Sequence, residues 1–231
     1  MPENDSSAAS RSALLAPAGA VLFTAAWLIL GAASPGYELF GHVIAPYSWI
    51  SQPVSGLGLG VTGPWMNAAF IVGGLLVMAG TLASARQWLS RGGLSTTAFV
   101  LIALTGVGMI VCGVFTLESM MLHLLGFLLA VPLPAAGFLL AAVALRRSDP
   151  RLAVVGVVGG IVSLALFAVF MATFDATGAG GNDGIAGIVQ RALILVVLAT
   201  QSALVVGVTR RPAGGTDMQH RTEKEGMPRH A

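Results

Sequence analysis

Charged residues are scarce in this sequence: they make up only 10% of its 231 residues, whereas hydrophobic residues make up 55%. Soluble domains usually contain about 25% charged residues. A chain with so few charges cannot cover a water-facing surface. The composition therefore excludes an ordinary soluble domain and predicts that most of the chain lies in the hydrocarbon of a membrane.

Cysteine is nearly absent, since Cys112 is the one cysteine in the sequence. A single cysteine excludes an intrachain disulfide and a metal site with several cysteine ligands. Cys112 lies inside a hydrophobic run, and we interpret it as a small apolar packing residue.

The sequence also lacks the short motifs of several common activities. It has no nucleophile elbow, no phosphate-binding loop and no zinc-protease helix motif. The middle of each hydrophobic run is free of Asp, Glu, Lys and Arg, which argues against a transporter coupled to protons or sodium. The basic residues are spread over short segments and form no basic face, so nucleic acid is not an expected partner.

Six hydrophobic runs are long enough to cross a membrane. A helix rises about 1.5 Å per residue, so about 20 residues cross a hydrocarbon core of about 30 Å. Backbone hydrogen bonds must be satisfied inside each run, which favours helices, and the alternation typical of a membrane barrel is absent. The sequence therefore predicts an all-α, polytopic integral membrane protein with six transmembrane helices, at residues 14–34, 65–85, 96–116, 120–145, 152–174 and 186–208.

One transmembrane domain is predicted over residues 13–209, between polar tails at 1–12 and 210–231 that we expect to be disordered. The first run follows Arg11 and could be taken for a signal peptide. However, it has 21 uncharged residues from Ala13 to Ala33, whereas the apolar region of a signal peptide has about 7–15. We therefore expect this run to be retained as the first span.

The basic residues are distributed asymmetrically. Eleven of the twelve Lys and Arg residues fall in four segments that alternate spans place on one side of the membrane, and only Arg191 falls towards the other side. Short loops rich in Lys and Arg stay in the cytoplasm. The pattern predicts that both termini are cytoplasmic and that the loops with Glu38, Glu118, Asp175 and Asp183 face outside.

The longest connection between spans runs from Pro35 to Pro64 on the predicted outer side. Structureless loops of this length are uncommon unless they have a role. Amphipathic aromatic rings settle at the depth of lipid headgroups, and this connection carries Tyr37, Phe40, Tyr47 and Trp49. We expect it to lie against the outer leaflet or to dip into it.

Two prolines, Pro132 and Pro134, interrupt the fourth span. Each removes a backbone donor and crowds the preceding turn, which predicts a kink. A bend that serves packing is the favoured interpretation. The alternative is a transporter site, because kinked helices at mid-membrane also occur there.

Arg191 is the sharpest polar signal, because an Arg inside the outer end of a span is costly unless it is paired. Asp175 ends the fifth span, at the negative end of that helix's dipole. An Asp175–Arg191 ion pair would relieve both costs, and Asp183 is the competing partner for Arg191, although it more naturally caps the sixth helix. The alternative is that Arg191 holds a substrate or a lipid phosphate.

The two outer histidines are His123, one turn into the fourth span, and His42, in the long connection. With Glu118, Asp175 or Asp183 they could supply two His and one carboxylate for zinc, but none has tight metal-ligand spacing. We therefore expect no bound metal, no cofactor and ordinary hydrogen-bonded histidines. Ser55 and Ser51 lie in a Gly/Pro-rich segment, where serines usually form turns.

Three stretches of the sequence carry a family resemblance: Tyr47 through Ser55-Gly56-Leu57-Gly58 with Asn67 and Gly73 following, Gly113 to Phe115 leading to His123, and Gly187 to Arg191. In these stretches the chain resembles the bacterial membrane family called domain of unknown function 998. The resemblance covers about residues 14–208 and implies six spans in a bacterial plasma membrane. The family usually has an acidic residue where this chain has Gly56. The resemblance implies no activity, because the family's function is not established.

A polar cluster is predicted at the outer face, formed by His42, Ser55, His123, Asp175 and Arg191. The first hypothesis is a non-enzymatic protein that binds a lipid headgroup or a protein partner through this cluster, with a homo-oligomer as one form of partner. The second is an intramembrane lipid hydrolase or transferase, with His123 as general base, Arg191 holding a phosphate and Ser55 as a further catalytic candidate. The third, a transporter, depends on the two prolines alone.

Overall fold

The computed structural model describes residues 9–210. Within this range six helices are long and apolar enough to cross a membrane: Ala9–Ala33, Gly60–Ala83, Gly93–Val114, Leu117–Leu145, Pro150–Thr173 and Ala186–Thr209. The six predicted spans are therefore confirmed. Residues 9–12, which the sequence assigned to a disordered tail, are helical and extend the first span. The remaining parts of the predicted tails, 1–8 and 211–231, lie outside the described residues.

Eight α-helices are labelled here in chain order within residues 9–210. They are α1 (Leu15–Ala33), α2 (Gly63–Ala83), the short α3 (Ala85–Leu89), α4 (Gly93–Val114), α5 (Met120–Ala130), α6 (Pro132–Leu145), α7 (Pro150–Thr173) and α8 (Ala186–Thr209).

The spans pack in sequence order, and α1 also packs against α8, so that they form a closed ring. Helix α4 contacts α2 on one side and both α5 and α6 on the other. Small residues allow the close approach of α2 and α4. A Cβ added to Gly74 would lie 2.7 Å from the carbonyl oxygen of Gly106, and the reverse distance is 2.6 Å.

The fourth span is bent where the prolines predict it. Helix α5 ends at Ala130 and α6 begins at Pro132, and Val131 between them has φ −123° and ψ −74°, outside the helical region. The predicted kink is confirmed. As a consequence, α5 is a separate helix from α6 and has its own axis.

The connections after α1, before α5 and after α7 lie at one end of the ring, which we call the hairpin end. The first of them begins with an antiparallel hairpin of β1 (Tyr37–Leu39) and β2 (His42–Ile44). This hairpin corrects the all-α expectation. Phe40 and Gly41 take positive φ angles of 50° and 83°, which lets the chain reverse tightly enough for the two short strands to pair.

After the hairpin the chain turns into the ring. The inserted segment, Ser51–Leu59, is buried along its whole length and contains a short 3₁₀ helix, Val54–Gly58. This helix contacts α1, α2, α8 and the 3₁₀ turn Leu117–Ser119 that precedes α5. The long connection is therefore ordered inside the protein and closes the hairpin end of the ring from within.

The placement of the aromatic residues follows from this insertion. Tyr37 and Tyr47 are only 6% and 7% exposed, so their rings pack against the protein and do not face lipid headgroups. Phe40, at the turn of the hairpin, is 54% exposed. Tyr37 and Tyr47 of the connection pack against other parts of the protein, because the ring of helices leaves space for the connection inside it.

Candidate active site

The inserted segment brings Ser55 against His123 of α5. The Ser55 Oγ lies 2.9 Å from His123 Nε2, although the two residues are 68 positions apart. Both side chains are buried, with 6% and 5% exposure. Asn67 of α2 donates to the Gly58 carbonyl at 3.0 Å and so supports the end of the 3₁₀ helix that carries Ser55.

The backbone orients the other nitrogen of His123. Its Nδ1 lies 2.7 Å from the carbonyl oxygen of Phe115. A carbonyl oxygen only accepts hydrogen bonds, so Nδ1 carries the proton of the neutral ring. Nε2 then has a free lone pair and accepts a hydrogen bond from the Ser55 hydroxyl. This is the arrangement in which a general base activates a serine nucleophile.

Two apolar cavities adjoin this pair. The larger one, which we call the dyad cavity, has a volume of about 100 Å³ and lies between α5 and the end of α7. Its walls beside Ser55 and His123 include Leu117, Met120, Leu124, Phe127, Phe170 and Met171. A smaller cavity of about 40 Å³ lies on the other side of Ser55, among residues such as Phe23, Phe70 and Cys112.

Gln190 of α8 lines both cavities together with Ser55. Its Oε1 accepts a hydrogen bond from the backbone N–H of Val54 at 2.6 Å. Because an N–H group only donates, the amide oxygen must face Val54 and the Nε2 must face elsewhere. This Nε2 makes no hydrogen bond within residues 9–210. The site therefore has an unused N–H donor close to Ser55.

Arg191, the next residue, binds backbone carbonyls. Its Nη1 lies 2.9 Å from each of three carbonyl oxygens, those of Trp49, Gln52 and Gly187. Aromatic rings surround the guanidinium carbon at 5.1 to 5.7 Å: Trp27, Tyr47 and Trp49. The side chain is only 5% exposed. Arg191 therefore fastens the inserted segment and the residues before it to α8.

Tyr47 extends this attachment. Its hydroxyl accepts a hydrogen bond from Arg191 Nη2 at 2.5 Å and donates one to the Pro53 carbonyl at 3.0 Å. Burial raises the pKa of Tyr47, and the opposing effect of the Arg191 charge only partly offsets it. The tyrosine therefore stays neutral and keeps the proton that it donates.

The sequence profile of the family described as "Protein of unknown function (DUF998)" matches residues 17–207, which is most of the chain. The chain belongs to this family. Comparisons with curated proteins and with solved structures gave no match. The resemblance expected from the segments around Ser55, His123 and Arg191 is confirmed, and in this DUF998 protein all three segments meet around the inserted segment.

The predicted ion pair between Asp175 and Arg191 is wrong. Asp175 is an exposed residue of the connection after α7, and its carboxylate accepts hydrogen bonds from the side chain and N–H of Thr177 and from the N–H of Gly180. The Thr177 side chain, and then these backbone groups, hold the pKa of Asp175 below its usual range. Asp175 and Arg191 each form hydrogen bonds to nearby backbone groups and do not bind each other.

Asp183 does not cap the sixth helix either. Helix α8 has Ile185 at its N-cap and no side-chain cap. Instead, the backbone N–H groups of Gly187 and Ile188 donate to the carbonyls of Ser51 and Ile50, at 3.2 and 2.9 Å. Ile50 and the first residue of the inserted segment thus accept from unpaired donors at the start of α8, which a capping side chain would otherwise do.

The structure separates the predicted five-residue cluster. Ser55 and His123 are in contact and Arg191 holds the same segment, whereas His42 is exposed on β2 and Asp175 lies in the exposed connection after α7. Within residues 9–210, no three His, Cys, Asp or Glu side chains are close enough together to hold a metal ion.

Several residues of the site were not among the sequence candidates. Gln190 and the carbonyl of Phe115 were missed, as was Gln52, which accepts from Tyr37 and donates to the Gly181 carbonyl. One signal could have pointed to Gln190: it forms a polar pair with Arg191 in the first turns of an otherwise apolar span.

Proposed function

We propose that this DUF998 protein is an intramembrane enzyme that transfers the acyl group of a lipid, as a hydrolase or a transferase. Ser55 is the nucleophile and His123 is the general base. The observation that carries the proposal is the 2.9 Å contact between Ser55 Oγ and His123 Nε2 at the wall of an apolar cavity. Packing alone would not require empty space beside such a pair.

The reaction follows from the hydrogen bonds of the pair. Ser55 Oγ attacks the carbonyl carbon of an ester while its proton moves to His123 Nε2. The tetrahedral intermediate breaks the bond to the leaving oxygen, which takes the proton from Nε2. Water, or the hydroxyl of a second lipid, then attacks the acyl-Ser55, and its proton passes through Nε2 back to the serine oxygen.

Gln190 supplies the remaining element of the mechanism. The carbonyl oxygen of the substrate gains negative charge in the tetrahedral intermediate and needs a hydrogen-bond donor. The Nε2 of Gln190 is the unused donor beside Ser55, and the Val54 N–H holds the amide in the orientation that presents it. We assign Gln190 to the stabilisation of this oxyanion.

We expect slow turnover. His123 carries a positive charge between the two proton transfers, and the group that faces its Nδ1 is the neutral carbonyl of Phe115. In the Ser-His-Asp triad a buried carboxylate occupies this place, where it holds the tautomer and also stabilises the imidazolium that forms. A carbonyl accepts from Nδ1–H and preserves the tautomer, but it stabilises the imidazolium less.

The proposal changes the role that the sequence suggested for Arg191. Its Nη1 and Nη2 donate to three carbonyls and to Tyr47, and its Nε is buried without a partner among the described residues, so the guanidinium faces the protein and presents no donor to a lipid phosphate. Arg191 is instead a positioning residue that keeps the inserted segment, and hence Ser55, in place.

The proposal extends to location and partners. The asymmetry of the basic residues favours cytoplasmic termini in a bacterial plasma membrane. The hairpin end, with Ser55 and His123, would then lie in the outer leaflet, and membrane lipids would be the partners of the site. No feature of the sequence favours nucleic acid.

A second candidate function is the binding of a lipid without chemistry, which was the first hypothesis from the sequence. The apolar walls of the dyad cavity favour it, because they suit a hydrocarbon chain whether or not a bond is broken. The Ser55–His123 hydrogen bond would then serve only to hold the inserted segment.

Labelling with an ethyl fluorophosphonate distinguishes the two functions. This reagent phosphonylates a serine that an adjacent base activates, with loss of fluoride. We expect the purified full-length protein to be labelled at Ser55, as located by mass spectrometry of peptides, and Ser55→Ala and His123→Ala to abolish the label. Ser51→Ala is the matched control, since Ser51 lies in the same segment and does not contact His123. Absence of label at Ser55 in folded protein would refute the enzyme.

A further inference from the structure

We infer that the substrate is a membrane lipid whose acyl chain reaches Ser55 sideways from the bilayer, through the space between α5 and α7. The inference rests on the proposed function, since it names the substrate class and the route for that site. It begins from the way in which these two helices meet.

Helices α5 and α7 contact each other through aromatic rings. The ring of Phe127 lies 5.2 Å from that of Phe170 and 5.8 Å from that of Phe167. From this contact α5 runs back towards its start at the hairpin end, and α7 runs forward to its end there. The dyad cavity occupies the space between them beyond the rings, with Met120 and Leu124 on one side and Met171 on the other.

The cavity reaches the lipid-facing surface of the ring. Met171, which forms part of its wall, is 43% exposed on the outside of α7. Leu124, on the facing side of α5, is only partly buried. A chain in the bilayer therefore meets the flexible Met171 side chain at the edge of the cavity, and Ser55 lines the same cavity.

The walls indicate which part of a lipid the cavity takes. Apart from Ser55, His123 and Gln190, its lining side chains are apolar, and none of them is charged. A charged headgroup would lose its hydration there without a partner. The cavity therefore accepts the hydrocarbon next to the carbonyl group, and the headgroup stays outside it.

The size of the cavity limits how much of the chain it holds. An apolar cavity of about 150 Å³ takes up a single benzene molecule. With about 100 Å³, the dyad cavity holds only the first few carbons after the carbonyl. The rest of the chain extends past Met171 into the bilayer, so there is no end wall against which a long chain would stop.

Chain length is therefore the diagnostic variable. The test uses the full-length protein in lipid nanodiscs and measures the rate at which ethyl, octyl and hexadecyl fluorophosphonates label Ser55. Burial of about two methylene groups already corresponds to roughly a tenfold preference. We expect octyl to react at least about tenfold faster than ethyl, and hexadecyl to react as fast as octyl.

A pair of variants tests the route. Met171→Trp places a large ring across the opening and should slow the octyl and hexadecyl probes about tenfold more than it slows the ethyl probe, the factor expected for about two methylene groups kept out. Val169→Trp is the matched control, because Val169 is 44% exposed on the same helix and lies outside the cavity lining. It should change none of the three rates.

The outcomes separate the inference from the function on which it rests. If ethyl labels Ser55 but the longer probes react no faster, or if Met171→Trp and Val169→Trp behave alike, access from the bilayer is refuted and the nucleophile stands. If the hexadecyl probe is much slower than octyl, the chain site is closed and the inference is also wrong. If no probe labels Ser55, both the proposed function and this inference are refuted.

Discussion

Arg191 shows how a buried cation can be held without an acid. Removal of a charge from water costs several kcal/mol unless hydrogen bonds replace the lost hydration. Here three carbonyls, one hydroxyl and the faces of three aromatic rings surround the guanidinium. Arg suits this position because its planar group presents several donors in fixed directions, which Lys does not.

This environment predicts that Arg191 and Asp175 contribute independently to stability. Arg191→Ala leaves buried carbonyls without donors, each worth about 1–3 kcal/mol, and we expect a total loss of about 2–4 kcal/mol because water can replace some of them. Asp175→Ala should cost less than about 1 kcal/mol, since its hydrogen bonds are exposed. The double variant should equal the sum within about 0.5 kcal/mol, measured by unfolding in detergent.

The pair of Tyr47 and Arg191, which are in contact, provides the positive control for this double-mutant measurement. Tyr47→Phe removes the hydroxyl that Arg191 contacts at 2.5 Å, so Tyr47→Phe and Arg191→Ala should be non-additive. Coupling of more than about 1 kcal/mol between Asp175 and Arg191 would instead restore the ion pair that the sequence suggested.

Gly56 is the other residue that decides the local structure, because it has no side chain. A Cβ at this position would lie 2.5 Å from the ring of Tyr37, so the neighbouring ring occupies the space of a side chain. A side chain at this position would therefore require the Tyr37 ring to move. In this chain Tyr37 instead donates to Gln52 and fixes the inserted segment from the hairpin side.

At the scale of elements, the inserted segment is the part of the fold on which the site depends. It contributes Ser55, accepts the first N–H groups of α8 and is tied to α8 by Arg191 and Gln190. It has little regular secondary structure of its own, so its order comes from these tertiary hydrogen bonds and from burial. Loss of these contacts should displace Ser55 without unfolding the spans.

Cysteine accessibility tests the insertion directly. In a Cys112→Ser background, Val43→Cys on the hairpin should react rapidly with a water-soluble maleimide, because Val43 is 76% exposed. Leu57→Cys should stay unlabelled in the folded protein, because Leu57 is 0% exposed. Labelling of both after denaturation in SDS is the control for reactivity. Equal rates in the folded protein would place the segment on the surface of the bundle.

The kink in the fourth span has a defined effect at the same scale. Helices α5 and α6 are separate helices on either side of Val131. The axis of α5 therefore does not have to continue the axis of α6. This freedom lets the start of α5 lean over the inserted segment, where His123 meets Ser55. We therefore assign the prolines to the geometry of the site, and a transport role is not needed to explain them.

At the scale of the whole molecule, the ring places the residues of the candidate site at the hairpin end. Ser55, His123, Gln190 and Arg191 lie in or beside the inserted segment there. The opposite end of the ring has the basic connections with Arg86, Arg91, Arg146 and Arg147. Such a charge difference between the two ends favours the second one as the cytoplasmic end.

Reporter fusions test this orientation. Fusions after Arg86, Arg147 and Val208 should report the cytoplasm, and fusions near Glu118 and Asn182 should report the outside, because short basic loops are retained in the cytoplasm. A phosphatase reporter and a fluorescent reporter at the same positions serve as reciprocal controls. A cytoplasmic signal near Asn182 would contradict the proposed topology.

Most of the fold could be predicted because hydrophobicity is a local property. The six spans, the kink and the family follow from runs of residues that are adjacent in sequence, and each agrees with the structure. Of the site, the residue types at Ser55 and His123 were recognised, but their contact was not. The Asp175–Arg191 pair was wrong although the two helices are neighbours, because backbone groups nearer to each charge took its hydrogen bonds.

The sequence alone therefore determined that the chain lies in a membrane and how many spans it has, since the composition of a run settles whether it enters hydrocarbon. It also determined the family and the concentration of polar candidates towards one end. Only the tertiary structure decided which candidates act together. Ser55 meets His123 over 68 positions, and Arg191 meets Tyr47 over 144. Such contacts depend on closure of the ring around a buried connection, because buried polar groups bind whichever partners the assembled backbone brings within reach.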